Sequence, residues 1–140
     1  MAPRIVILSM ARAESYQPHG TEVCISITDP KAPPARLSPA FRAVLRLGFT
    51  DIAEPSPLAW HVLFTAEHAR AILDFIADWG NADRIVIHCM AGLSRSPAVG
   101  MGICDLQGWS LVGREAEYPL CNTWVRSELV RIGRERKDKK

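Results

Sequence analysis

The residues best suited to chemistry lie in one short stretch, residues 88–96, with the sequence HCMAGLSRS. It follows the apolar run Ile85–Ile87 and leads into Pro97. The sequence therefore predicts a strand, a tight loop and a helix in succession. Such a loop can turn its N–H groups inward, and the helix N-terminus adds positive potential. The stretch predicts a cradle for a phosphate group.

Five residue types in this stretch suit a phosphate ester. The guanidinium of Arg95 matches two phosphate oxygens. Cys89, surrounded by N–H donors and that guanidinium, is expected to lose its proton easily and act as a nucleophile. Gly92 permits a backbone conformation that a side chain would obstruct. Ser96 can donate a hydrogen bond to the sulfur, and His88 is expected to hold the shape of the loop. The alternative, a buried core cysteine beside a surface arginine, fits so specific a pattern poorly.

Residues 88–96 match the pattern H-C-x-x-G-x-x-R-[S/T] of cysteine-based protein tyrosine phosphatases, and the fuller form H-C-x-A-G-x-S-R-S resembles the dual-specificity branch. Beyond the loop the resemblance is one of layout. It implies hydrolysis of phosphate monoesters through a phospho-cysteine intermediate, without a metal or cofactor. It also implies that Cys89 is the nucleophile, that Ser96 assists breakdown of the intermediate, and that Arg95 binds the phosphoryl group. The amides expected to cradle its oxygens belong to Met90, Ala91, Gly92, Leu93, Ser94 and Arg95.

The chemistry also needs a general acid to protonate the leaving oxygen, and in the family this Asp lies about 30–40 residues before the Cys. Asp51 and Glu54 fall in that range. Asp51 is favoured because it follows an apolar segment and would lie at the end of a strand beside the loop. Glu54 is second, Asp29 at the end of another strand is an outsider, and a turn or capping role is the alternative for Asp51.

Two other functions remain open. A non-catalytic phosphate-binding module would keep the cradle, and a phosphatase of phosphoinositide or RNA 5′-triphosphate would keep the chemistry. Lipid-selective relatives tend to carry Lys in the loop, where this chain has Met90 and Leu93. The depth of the pocket, which separates phosphotyrosine-only from dual specificity, is also open. Two departures from the family are Asn122-Thr123, where Asn-Pro is frequent, and a long segment between Asp51 and Thr65.

The elements that must position these residues follow from hydrophobic periodicity. Near-continuous apolar runs predict buried strands at Arg4–Leu8, Val23–Ile27, Ala43–Leu47 and Arg84–His88. Helical spacing and capping residues predict helices at Thr65–Trp79, at Ser96–Gln107 and from Asn122 onward, the last with Val125, Leu129 and Ile132 on one face. We therefore expect an α/β fold: a central, mostly parallel sheet of four to five strands flanked by helices, with the phosphate-binding loop between a strand and a helix.

Length and composition bound the remaining possibilities. The 140 residues suit one phosphatase domain, 1–140, and 48% hydrophobic with 23% charged residues excludes a disordered chain. The net charge of +2 gives no argument for a nucleic-acid or membrane partner. Residues 126–140 hold seven basic and three acidic residues, and the preceding 125 hold ten and twelve. The basic segment is expected to be a helix end and a solvated tail.

The cysteines and the N-terminus bear on the compartment. Cys24, Cys89, Cys104 and Cys121 lack the spacing of a metal site or a disulfide framework, which suits a reducing cytoplasm. Nothing in the spacing selects a redox partner for Cys89. The run Ile5–Leu8 is short for a signal peptide and predicts a strand instead. We expect a monomer that acts on phosphorylated protein or peptide, with no nucleic acid and no membrane insertion.

Overall fold

The computed structural model describes residues 2–138, in which a parallel sheet is flanked by helices. In chain order the elements are β1 (Arg4–Ser9), α1 (Met10–Ser15), β2 (Glu22–Thr28), β3 (Val44–Gly48), α2 (Ala66–Asp78), β4 (Arg84–Cys89), α3 (Arg95–Gln107), β5 (Ser110–Leu111) and α4 (Thr123–Asp138). The strand order is β3-β2-β4-β1-β5, and each neighbouring pair is parallel. The predicted α/β fold is confirmed.

The central strand β4 shows why its sequence is apolar throughout. Ile85, Val86 and Ile87 are fully buried. Ile85 and Ile87 belong to the main core with α2, α3 and α4, whereas Val86 packs with Cys24 and Phe41 in a smaller cluster. Because side chains alternate across a strand, both faces of the sheet must be covered. All four predicted strands are confirmed, and no end is shifted by more than one residue.

The predicted helices are also confirmed. α2 begins after Thr65, and α3 is buried from Arg95 to Ile103, as its apolar sequence predicts. α4 begins after Asn122, whose side-chain Oδ1 accepts a hydrogen bond from the N–H of Val125 at 3.1 Å. Asn122 is therefore the N-cap that the sequence indicates.

The basic C-terminal segment is more ordered than a solvated tail. α4 extends to Asp138. Arg126 donates two hydrogen bonds to Asp105, at 2.8 and 2.9 Å, and Arg136 pairs with Asp74. Two of the basic residues thus pair with acids on α3 and α2, while residues 134–138 of the helix end are exposed. Lys139 and Lys140 lie outside the described residues.

The parallel sheet brings three chain segments to one edge. β4 ends at Cys89, Asp29 directly follows β2, and Asp51 lies shortly after β3. The carboxyl ends of parallel strands form the usual ligand edge of such folds. Chemistry-bearing residues far apart in the chain therefore meet there.

Candidate active site

The loop after β4 packs closely against the end of β1. Gly92 has φ +72°, and a Cβ there would lie 2.8 Å from the backbone nitrogen of Ser9 and 2.9 Å from the carbonyl carbon of Leu8. The N–H of Met10 also donates to the carbonyl of Met90 at 3.1 Å. Only glycine satisfies both the left-handed backbone and this close approach. A side chain at position 92 would thus obstruct the loop, as the sequence predicts.

The sulfur of Cys89 lies at the base of this loop. Its side chain is nearly buried, and Sγ is 3.1 Å from the Oγ of Ser96. Burial raises the pKa of Cys89, but hydrogen bonds from Ser96 and Gly92 and the charge of Arg95 oppose it, so the pKa is lowered. Burial raises the pKa of Cys24 to about 12 and, with nearby carboxylates, that of Cys104 to about 11. Among these three thiols, Cys89 alone is activated.

Arg95 begins α3 and is 5% exposed. Its Nη1 donates to Oδ1 of Asp29 at 2.7 Å and to the carbonyl of Phe49 at 2.9 Å. Its Nε is the one buried side-chain N or O atom within residues 2–138 that has no hydrogen-bond partner. A buried guanidinium N–H is costly to leave unpaired. One edge of the guanidinium is therefore fixed by protein, and the other is free for an anion.

Asp51 lies at the same cavity as the cysteine. The cavity has a volume of about 320 Å³ and its lining includes Asp51, Cys89 and Arg95, with apolar side chains of Met90, Leu93 and Leu120. Oδ1 of Asp51 accepts from the Oγ of Ser94 at 2.8 Å. Glu54 lines a separate, neighbouring cavity with His61. The structure thus brings Asp51, and not Glu54, to the cavity that contains the nucleophile candidate.

His88 lies beneath the loop. It is fully buried, its Nε2 is 2.6 Å from the Oγ of Ser26, and its Nδ1 is 3.2 Å from the carbonyl of Cys89. Burial lowers the pKa of His88, which favours a neutral ring. Its contacts suit the supporting role expected from the sequence, since both ring nitrogens are used inside the fold.

Two contacts of this arrangement were not predicted: Asp29 was named only as an outside candidate for the general acid, and its contact with Arg95 was not expected. Asp29 contacts Arg95, and Asn122 donates from Nδ2 to Oδ1 of Asp51 at 2.9 Å. The sequence offered one indication, since Asp29 ends a predicted strand and so lies at the edge of the sheet where ligands bind. Asn122 was identified only as a helix cap.

The described part of the chain gives two further findings. Within residues 2–138, no group of three or more His, Cys, Asp or Glu side chains could hold a metal ion. In the same range, no helix is both long and apolar enough to span a bilayer.

Comparisons with known proteins agree on the fold. The crystal structure of human DUSP28 is 17% identical, covers 99% of this chain and 97% of its own, and gives a TM-score of 0.58. The crystal structure of human tyrosine phosphatase-like serine/threonine/tyrosine-interacting protein is 16% identical. It covers 96% of this chain and 91% of its own, and it gives a TM-score of 0.55. No protein-family model and no curated protein matches the sequence. The chain has the fold of the dual-specificity phosphatases, as the motif predicted.

Proposed function

We propose that this chain hydrolyses phosphate monoesters of phosphorylated protein, at phosphotyrosine and, if the cavity admits them, phosphoserine and phosphothreonine. The observation that carries the proposal is the pairing of an activated thiol with an incompletely bonded guanidinium. Cys89 has a lowered pKa, and the buried Nε of Arg95 bonds to no residue in the range 2–138. A phosphoryl group bound to the open edge of Arg95 would lie beside the sulfur. Electrostatic preorganisation of this kind is usually the largest contribution to catalysis.

In the first step the thiolate of Cys89 attacks phosphorus. A sulfur–phosphorus bond forms while the ester oxygen–phosphorus bond breaks, and Asp51 gives its proton to the leaving oxygen. Arg95 and the N–H groups of residues 90–95 hold the three remaining phosphoryl oxygens. The products of this step are a free alcohol or phenol, a carboxylate at Asp51 and a phospho-cysteine.

In the second step water attacks the phospho-cysteine. Asp51 takes a proton from the water as the sulfur–phosphorus bond breaks, which releases inorganic phosphate and returns the acid to its starting state. The hydroxyl of Ser96, 3.1 Å from the sulfur, donates a hydrogen bond to the departing thiolate. The nucleophile and acid are thereby regenerated without any other reactant.

The decisive experiment compares two cysteine variants with p-nitrophenyl phosphate as substrate. Cys89→Ser should abolish phosphate release, whereas Cys104→Ser, which alters a half-buried thiol on α3, should leave the rate within about twofold. Mass spectrometry after acid quench should find an added phosphate on Cys89 and nowhere else. An unchanged rate in Cys89→Ser would exclude the mechanism.

A binding module remains the second candidate, because a solved protein with this fold is named phosphatase-like and interacting. The activated thiol of Cys89 has no use in such a module, which weighs against it. A purified protein that binds phosphopeptide but never releases phosphate would favour it.

A polyanionic lipid or RNA substrate is the third candidate. Of the described residues 2–138, Arg95 is the one Lys or Arg that lines the cavity, and Met90, Leu93 and Leu120 also line it. A cavity with one cationic side chain and apolar neighbours suits a single phosphate on an uncharged group better than a substrate with several phosphates. Turnover of a phosphotyrosine peptide and of a phosphoinositide by the same preparation distinguishes the two.

A further inference from the structure

Asn122 is the residue through which three parts of the site are joined. Its Nδ2 donates to Oδ1 of Asp51 at 2.9 Å and to the carbonyl of Ile52 at 3.0 Å. Its backbone N–H donates to the carbonyl of Ser94, in the loop after β4, at 3.1 Å. Its Oδ1 accepts from the N–H of Val125 in α4. One residue, 6% exposed, thus links the segment after β3 and a helix through its side chain, and the phosphate loop through its backbone.

The orientation of this amide is fixed by its neighbours. Because Oδ1 accepts from a backbone N–H of α4, Nδ2 must face the segment after β3. A flipped amide would set a carbonyl oxygen against the carboxylate of Asp51 and lose the helix cap. Both amide hydrogens therefore point at that segment, one to a side chain and one to the backbone.

These contacts select which oxygen of Asp51 can carry a proton. Oδ1 accepts from both Ser94 and Asn122, so a proton on this oxygen would face two donors. Oδ2 makes no hydrogen bond to any residue in the range 2–138, and Asp51 lines the cavity that contains Cys89. The carboxyl group is anchored by one oxygen and keeps the other for the reaction.

We propose that Asn122 is a positioning residue that holds Asp51 over the phosphate loop with Oδ2 as its proton-carrying oxygen. This inference rests on the proposed function, since it assigns the support of the general acid in that reaction. It also favours Asp51 over Glu54 as the general acid, because Glu54 lines a different cavity. Preorganised acids lose efficiency steeply when their geometry loosens.

The test uses leaving groups that need the acid to different extents. p-Nitrophenolate leaves without protonation, whereas phenolate from phenyl phosphate needs a proton in the transition state. Asn122→Ser keeps a capping side chain for α4 and removes the donor to Asp51. We expect its kcat to fall about 10–100-fold on phenyl phosphate and less than about threefold on p-nitrophenyl phosphate, with KM unchanged.

Two further variants complete the design. Asn81→Asp alters the other asparagine of the chain, which is exposed in the turn after α2, and should match the wild type on both substrates. Asp51→Asn should show the same selective loss. The double variant with Asn122→Ser should be no slower than Asp51→Asn alone, because both act on one group. Vanadate should inhibit all variants at similar concentrations, which shows that the cradle is folded.

Several outcomes would overturn the inference. Equal losses on both substrates would mean that Asn122 supports the loop in general rather than the acid. If the losses of kcat from the two single variants multiply in the double variant, Asn122 acts independently of Asp51. If the wild type hydrolyses neither substrate while still binding vanadate, the proposed function itself is wrong, and the role of Asn122 falls with it.

Discussion

Replacing Asp29 tests how the guanidinium of Arg95 is aimed. Nη1 of Arg95 donates both to Asp29 and to the carbonyl of Phe49, which leaves the edge formed by Nε and Nη2 for two phosphoryl oxygens. The carboxylate of Asp29 has two opposing effects. It fixes the guanidinium, and its negative charge repels an incoming phosphate dianion. Asp29→Asn keeps an oxygen acceptor and removes the charge, whereas Asp29→Ala removes both.

The comparison of these two variants isolates the orienting effect. A hydrogen bond to a charged group contributes about 1.5–3 kcal/mol, but the side chain of Asp29 is 55% exposed, so solvent screening reduces it to about 1 kcal/mol. That energy is about fivefold in affinity. We therefore expect Asp29→Asn to bind vanadate about fivefold more tightly than Asp29→Ala, as measured by competitive inhibition.

Arg95→Lys supplies the control for this prediction. A lysine ammonium is a point charge without the two hydrogen-bonding edges of a guanidinium. In the Arg95→Lys background, the difference in vanadate affinity between Asn and Ala at position 29 should therefore disappear. Equal affinities of the two single variants, or a fivefold difference that persists in the Arg95→Lys background, would refute the orienting role. Thermal unfolding should be nearly unchanged in Asp29→Asn, which keeps an acceptor for the buried guanidinium of Arg95.

Three further results follow from the geometry. Because its pKa is lowered, Cys89 should react with iodoacetamide near neutral pH, well before Cys104 with its pKa of about 11; peptide mass spectrometry measures both. Gly92→Ala should abolish activity and lower stability by at least about 2 kcal/mol in urea unfolding. Gly108→Ala, also at positive φ but with open space around it, should cost only about 1 kcal/mol and keep activity. Since burial lowers the pKa of His88, its contribution to stability is complete above about pH 6.5 and is lost as pH falls below it; urea unfolding of His88→Gln should show a weaker pH dependence.

The sequence predicted those parts of the fold that are local. The strands follow from near-continuous apolar runs, and the strand, loop and helix around Cys89 form one uninterrupted segment. Two elements were missed because they are short. α1 has six residues and β5 has two, too few to establish a period. Ser9, whose Oγ accepts from the N–H of Arg12, was an available indication of α1.

The contacts that complete the site are not local. Asp29 lies 66 residues before Arg95, and Asp51 lies 71 residues before Asn122. A single sequence shows that a carboxylate follows each of two strands, but not which side chain it meets. Those pairings depend on the strand order, in which β2 lies between β3 and β4. That order is settled by packing over the whole sheet rather than by any one segment.

The charge balance of the site explains why composition could not indicate its ligand. Within residues 2–138, Arg95 is the one Lys or Arg that lines the cavity, and its Nη1 is already paired with Asp29. Net charge therefore gives a phosphate dianion little attraction. The compensating contribution must come from oriented dipoles, namely the loop N–H groups and the N-terminus of α3. The backbone N–H groups of Gly92 and Ser96 contribute to the lowered pKa of Cys89. A site built on backbone dipoles depends on loop geometry, and the close approach of Gly92 to β1 helps to fix that geometry.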